Sequence, residues 1–133
     1  MPSFGATSSG RLGTCDGRLQ RLMREVVKHF DCSIICGHRG PEEQKAAFDA
    51  GNSKAQFGQS PHNPYPAKAV DALPYPVDWA DKERMCYFAG FVMAIALEME
   101  IPLRWGNDWD RDTDLNDNSL KDYPHFELTD WRE

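Results

Sequence analysis

The sequence predicts an α+β domain, a small and mostly antiparallel sheet with helices packed on one side. Three observations carry this. Helix-period and strand-period segments are interspersed along the 133 residues rather than grouped. The runs with strand character, "CSIIC", "AVDAL", "LRW" and "HFEL", are all short. The connections between them are long and irregular, unlike the crossovers of a doubly wound parallel sheet.

In chain order, "DGRLQRLMREVVKHF" is the clearest helix. Asp16 is placed to cap it, and Leu19, Leu22, Met23, Val26, Val27 and Phe30 recur at the spacing of one buried face. "CSIIC" follows as a strand in which Cys32, Ile34 and Cys36 would share a face. "GHRG" breaks it. Pro41 takes a first helical position, and "PEEQKAAFDAG" reads as a short helix closed by Gly51. Residues 52–67, rich in Gly, Ser, Asn and Pro, form a long loop. "AVDAL" is a buried strand and "PYPVDW" a connector. "DKERMCYFAGFVMAIALEME" is a second long helix. It is apolar nearly all round from Met85 to Leu97, which predicts deep burial, and Pro102 ends it. "LRW" is a strand, "GNDWDRDTDLNDNSLKDYP" an acidic loop, and "HFEL" the closing strand. No repeat and no internal boundary divides residues 1–133, so one domain is expected.

A net charge of -6 and a pI near 5.2 argue against a nucleic-acid partner, which needs clustered Lys and Arg. No apolar stretch approaches the roughly 20 residues of a membrane span, so no membrane insertion is expected. "MPSFGATSSGRLGTCDG" lacks the charged and apolar regions of a secretory signal, which predicts a cytoplasmic protein unless something releases it. Cys15, Cys32, Cys36 and Cys86 are then expected as free thiols. "CSIIC" lacks the CxxC spacing and any second half, so buried thiols are favoured over a metal knuckle.

Candidate chemistry begins at "SPHNPYPAKAVDALPYP". Pro61, Pro64 and Pro66 restrict the backbone around His62. Asp71 interrupts an apolar strand, where an unpaired carboxylate is costly to bury. A metal ion removes that cost; so does a turn or an Arg partner, and these residues alone leave the choice open. In "DYPHFEL", Pro124 pushes Tyr123 toward an extended conformation, so His125 starts a strand. Asp122 lies on the loop beside it, as a general base for a metal-bound water or as a surface turn residue. A catalytic zinc wants three protein ligands, mostly His with one carboxylate. His29, near a helix end, is read as structural. His38 points away from its neighbour Arg39 and is left out of the metal shell.

These motifs resemble the D-Ala-D-Ala carboxypeptidase clan of zinc peptidases, which includes the VanX and VanY enzymes. "SPHNPYPAKAVD" is similar to its S-x-H…A-x-D signature, "DYPH" to its closing acid-x-x-His, and "GHRGPEEQ" to its Arg-and-Gln segment. The run "FG…S…RL", "AVD…PYP.DW", "RWG.DWD" and "D.PHFEL", from Phe4 to Leu128, looks most like the small phage endolysins of this clan, the L-alanyl-D-glutamate endopeptidases. The resemblance implies a hedgehog/D-Ala-D-Ala-peptidase-like fold, with zinc on His62, Asp71 and His125. It implies Asp122 as catalytic base and Arg39 as stabiliser of the oxyanion. Gln44, Ser60 and Trp105 are candidates to contact substrate. Eight residues separate His62 from Asp71, two more than is common in the clan, so a bulged loop is expected. Peptidoglycan is the implied partner, acted on by a monomer that a holin releases from the host cytoplasm. The rivals are a D-Ala-D-Ala carboxypeptidase on the same fold and a non-catalytic metal-binding wall module.

Asp110, Asp112 and Asp114 alternate like the start of a calcium loop, and some phage relatives use calcium near here. Leu115 stands where that loop needs Gly and Lys121 where it needs Glu, so a solvated acidic loop is the competing reading.

Overall fold

The four short apolar runs are strands: β1 (Cys32–Cys36), β2 (Ala69–Pro74), β3 (Leu103–Trp105) and β4 (His125–Leu128). They hydrogen-bond in the order β1-β2-β4-β3, and every pairing is antiparallel. The structure, a computed structural model, describes residues 1–133. Side-chain alternation gives the sheet two unlike faces. Val70, Ala72, Leu103, Trp105, Phe126 and Leu128 point into the apolar core. Asp71, Arg104, His125 and Glu127 alternate with them and line a cavity on the other face.

The helices are α1 (Ala6–Leu12), α2 (Gly17–His29), α3 (Pro41–Asp49) and α4 (Lys82–Glu98). Helix α2 buries Leu19, Leu22, Met23, Val26 and Val27, as its spacing predicts. Helix α4 buries Met85, Phe88, Ala89, Val92 and Ala96. Both pack on the core face. Helix α3 buries only Gln44, whose amide bonds the loops around the site.

Two expectations are corrected and one helix is added. Helix α1 has no clear sequence signal, because Gly10 and two serines weaken its propensity. Tertiary contacts hold it against β1: Ile34 N donates to Ser8 Oγ at 3.0 Å and Arg11 Nη1 donates to Ile34 O at 3.0 Å. It thereby covers part of an edge strand. Helix α4 is not buried all round; Tyr87 and Leu97 are 67% and 81% exposed, since the sheet covers one side only. In β1 the register shifts between Ile34 and Cys36. This bulge turns Cys36 out of the face shared by Cys32 and Ile34 and toward the cavity side.

Asp16 ties the start of α2 to the sheet. Its carboxylate accepts from Arg18 N (2.9 Å), Arg18 Nε (3.1 Å) and Lys68 Nζ (2.9 Å). Burial raises its pKa, but the bonds to Arg18 and Lys68 more than offset that and hold the carboxyl well below the usual range. A depressed folded-state pKa means stabilisation present above the unfolded value of about 4 and lost as pH falls below it. Asp16→Ala is expected to lower stability by roughly 1–2 kcal/mol at pH 7. Urea midpoints at pH 7 and pH 3 check this; the gap between variant and parent should shrink at pH 3.

Candidate metal centre and its cleft

Antiparallel pairing sets Asp71 directly opposite His125. The proline-rich loop brings His62 over the same point. His62 Nε2 lies 3.1 Å from Asp71 Oδ1 and 3.3 Å from His125 Nδ1, and His125 Nδ1 lies 3.2 Å from Asp71 Oδ1. The outer nitrogens are engaged elsewhere. His62 Nδ1 is 2.8 Å from the Gly37 carbonyl, and His125 Nε2 is 2.8 Å from Glu127 Oε1. With a proton on each outer nitrogen, two lone pairs and a carboxylate oxygen face one another in a nearly closed site. His62 and His125 are 2% and 5% exposed.

Such a cluster demands a positive charge at its centre. Burial alone would lower the pKa of both imidazoles; the Asp71 carboxylate more than offsets it and holds both above their ordinary value. Burial would raise Asp71, but the two imidazoles hold it well below the carboxylate range. The donor set fits zinc. A tetrahedral ion with bonds near 2.0–2.1 Å separates its ligands by about 3.3 Å, close to the spacings found here. Cys36 is a further donor nearby, grouped with His62 and Asp71 within 4.8 Å. Its Sγ lies 3.9 Å from His62 Nδ1, the nitrogen turned to Gly37, so it sits behind the imidazole rather than at the convergence point.

Asp122 stands beside this cluster on a tightly held turn. Its N–H donates to Gly106 O at 2.7 Å, its carbonyl accepts from His125 N at 3.2 Å, and Gly106 N donates to His125 O at 2.7 Å. A Cβ at Gly106 would collide with the Asp122 carbonyl and press on the β-carbons of Asp122 and His125. Gly106→Ala is therefore expected to displace Asp122 and His125 and weaken metal binding beyond any loss of thermal stability, checked by comparing metal affinity with melting temperatures. Burial raises the Asp122 pKa, against the pull of His125. A carboxyl so raised suits taking up a proton and later releasing it.

Arg39 reaches the cluster from the other flank. Its Nη1 donates to Gln44 Oε1 at 3.1 Å, and its Nη2 lies 3.9 Å from Asp71 Oδ2. Gln44 was expected to contact substrate. It is fully buried, and its amide instead joins Arg39, Asn63, Ser53 and Ala55. It positions the arginine. Ser60 borders the cavity, and its Oγ accepts from His62 N at 3.1 Å, fixing the loop that carries the imidazole. His38 stays outside the cluster, 3.2 Å from the Asn63 carbonyl.

Trp105 was also expected at the substrate. It lies in the core, on the opposite face of the sheet, with Nε1 donating to Tyr123 O at 2.7 Å. Trp109 lines the cavity instead, as do Trp79 and Trp131, and its ring lies 5.6 Å from that of His125. Two further residues escaped the sequence reading. Glu127 bonds His125 and is signalled by the H-x-E spacing on one strand face. Asn63 accepts from Gly58 N and Ser60 N and donates to Arg39 O; nothing local in the sequence marks it.

The acidic loop gathers differently from its spacing. Asp108, Asp110 and Asp112 come within 4.8 Å of one another, whereas Asp114 is outside that group and accepts from Asn116 N. Asp108, Asp110 and Asp112 also accept backbone N–H groups within the loop.

The cavity beside the cluster has a volume of about 860 Å³, and Arg39, Trp109, Asp122 and His125 all border it. A cleft of this size can enclose a ligand of a few residues.

Comparison with known proteins agrees with this architecture. The chain is 28% identical over 133 residues to the L-alanyl-D-glutamate peptidase of Escherichia phage T5, covering 94% of this chain and 96% of that one. Its fold is similar to the crystal structure of a Serratia marcescens L-Ala D-Glu endopeptidase. The TM-score is 0.76 and the identity 29%, over 95% of this chain and 89% of the other. Residues 2–129 match the family described as phage L-alanyl-D-glutamate peptidase, and to that family the chain belongs.

Proposed function

We propose that the protein is a zinc-dependent endopeptidase that cuts the L-Ala–D-Glu bond of the peptidoglycan stem peptide and serves as a phage endolysin. Family membership supports the peptidase activity. The observation that carries the metal assignment is the convergence of His62 Nε2, Asp71 Oδ1 and His125 Nδ1. Two imidazoles and one carboxylate favour zinc over magnesium or calcium, which prefer all-oxygen sites.

A zinc ion held by His62, Asp71 and His125 would supply Lewis acidity toward the scissile carbonyl and the attacking water. The remaining steps belong to the chain. Asp122, whose carboxylate makes no side-chain hydrogen bond, takes the proton from water and later delivers it to the departing amine. Arg39, steadied by Gln44, stabilises the charge that develops on the carbonyl oxygen. Glu127 holds His125 with its inner nitrogen unprotonated. Trp109 walls the cleft and limits water access. A purely binding module has no use for a free, raised-pKa carboxylate beside a metal site, and this favours the catalytic reading over a wall-recognition module.

No helix is long and apolar enough to cross a membrane. We place the protein in the host cytoplasm until a holin opens a route to the wall, acting there as a monomer.

The test combines three measurements. Metal analysis of purified protein should find zinc near one per chain. Chelation should abolish wall clearance, and zinc should restore it. Digested wall fragments should gain N-terminal D-Glu; release of free D-Ala would instead identify a carboxypeptidase. Glu127→Gln is expected to weaken zinc affinity roughly 10- to 100-fold, read by competition with a chromogenic chelator.

A further inference from the structure

The cleft carries a charge that the chain as a whole does not. Arg39, Lys54, Arg104, Lys121 and Arg132 line it, against the acids Asp71, Asp122 and Glu127, in a protein of net charge -6. A cleft so lined favours an anionic ligand. Arg39 is taken up by Gln44 and faces Asp71. Arg104 is placed differently. It stands on β3, the edge strand, paired with Glu127 of β4, one strand beyond His125.

Most of the Arg104 guanidinium is unspent. Nη1 donates to Glu127 Oε2 over a long 3.4 Å; Nε is enclosed and has no partner. Nη2 makes no hydrogen bond either. The N–H groups of Nε and Nη2 run parallel along one edge of the group, and that edge pairs with a carboxylate through two hydrogen bonds. The side chain is 31% exposed and borders the cavity, so Nη2 is open to a ligand, and Nε joins it once the guanidinium turns about its contact with Glu127.

The reaction proposed above, on which this inference rests, supplies a matching group. A glutamyl residue joined onward through one carboxyl keeps its other carboxyl free, an anion a few bonds from the scissile nitrogen. We propose that Arg104 grips this free carboxylate through its Nε–Nη2 edge and makes the enzyme selective for a glutamyl residue over its amidated counterpart. Glu127 holds the far side of the guanidinium through Nη1 and is the pivot for that turn.

The test uses two synthetic stem peptides, identical except that one carries the free glutamyl carboxylate as a carboxamide. The parent protein should prefer the acid in kcat/KM by roughly 10- to 100-fold. Arg104→Gln should bring the ratio close to one, with the acid losing mainly through KM. Arg104→Lys, which keeps the charge without the fork, should fall between. A ratio unchanged in Arg104→Gln overturns the proposal. So does an equal loss on both peptides, the result expected if the arginine only steadied Glu127. Should the parent cut neither peptide, the proposed function fails instead. Calorimetric binding of the same two peptides then decides for Arg104: tighter binding of the acid that Arg104→Gln erases supports it, and equal binding overturns it.

Discussion

Asp122→Asn is expected to lower the rate of wall hydrolysis by roughly 10²- to 10⁴-fold, the range that a positioned general base contributes. The substitution keeps size and shape but removes the ability to take a proton from water. The turn that carries Asp122 is held through backbone groups of Gly106 and His125, so the variant should fold and melt like the parent. Zinc content should also be unchanged, because the metal-facing atoms come from three other residues. Turbidity loss of a wall suspension, metal analysis and a thermal melt on one preparation separate these effects. A variant that clears walls at the parent rate would remove Asp122 from the mechanism.

Asp71→Asn should be as damaging by another route. It removes the only negative charge among the three converging side chains. Zinc affinity should fall by more than the roughly 10- to 100-fold that loss of an outer hydrogen-bonding partner costs, and activity should fall with it. Unlike Asp122→Asn, this variant should lose its metal on dialysis. The metal-free parent should behave distinctively as well. Asp71 holds both imidazoles above their usual pKa, so protons compete with zinc well above pH 6.5. Zinc affinity should therefore rise with pH through the neutral range, with proton release on binding, measurable by calorimetry in buffers of different ionisation enthalpy. Flat affinity between pH 6 and pH 9 would contradict this account of the cluster.

Much of this was legible because it is local or periodic. The spacing of Leu19, Leu22, Met23, Val26 and Val27 predicts the buried face of α2, and the short apolar runs mark all four strands. Pro124 places His125 at a strand start, where the structure has it. What was hidden depends on partners distant in sequence. Helix α1 exists through its contacts with Ile34, which no local propensity encodes. The shift between Ile34 and Cys36 reverses the alternation that placed Cys36 in the core. Gln44 looks like an exposed polar residue one turn into a helix; only the fold of residues 52–63 over it buries its amide. Trp105 and Trp109 read alike in "RWGNDWD", yet strand parity sends the first inward and the turn after Gly106 sends the second to the cleft. Asp108 joins Asp110 and Asp112 where Asp114 was expected, because the N–H groups of Asp112 and Thr113 bond back to the Asp108 carboxylate.

The middle of the sheet has a temporal meaning. Strand β4 lies between β2 and β3, yet it is synthesised after both. Until residues 125–128 leave the ribosome, Asp71 lacks its neighbour and the platform beneath the cleft has a gap at its centre. Non-local pairing of this kind is also the slow part of folding. The site and the sheet therefore form together: His125 reaches Asp71 only when β4 inserts between β2 and β3.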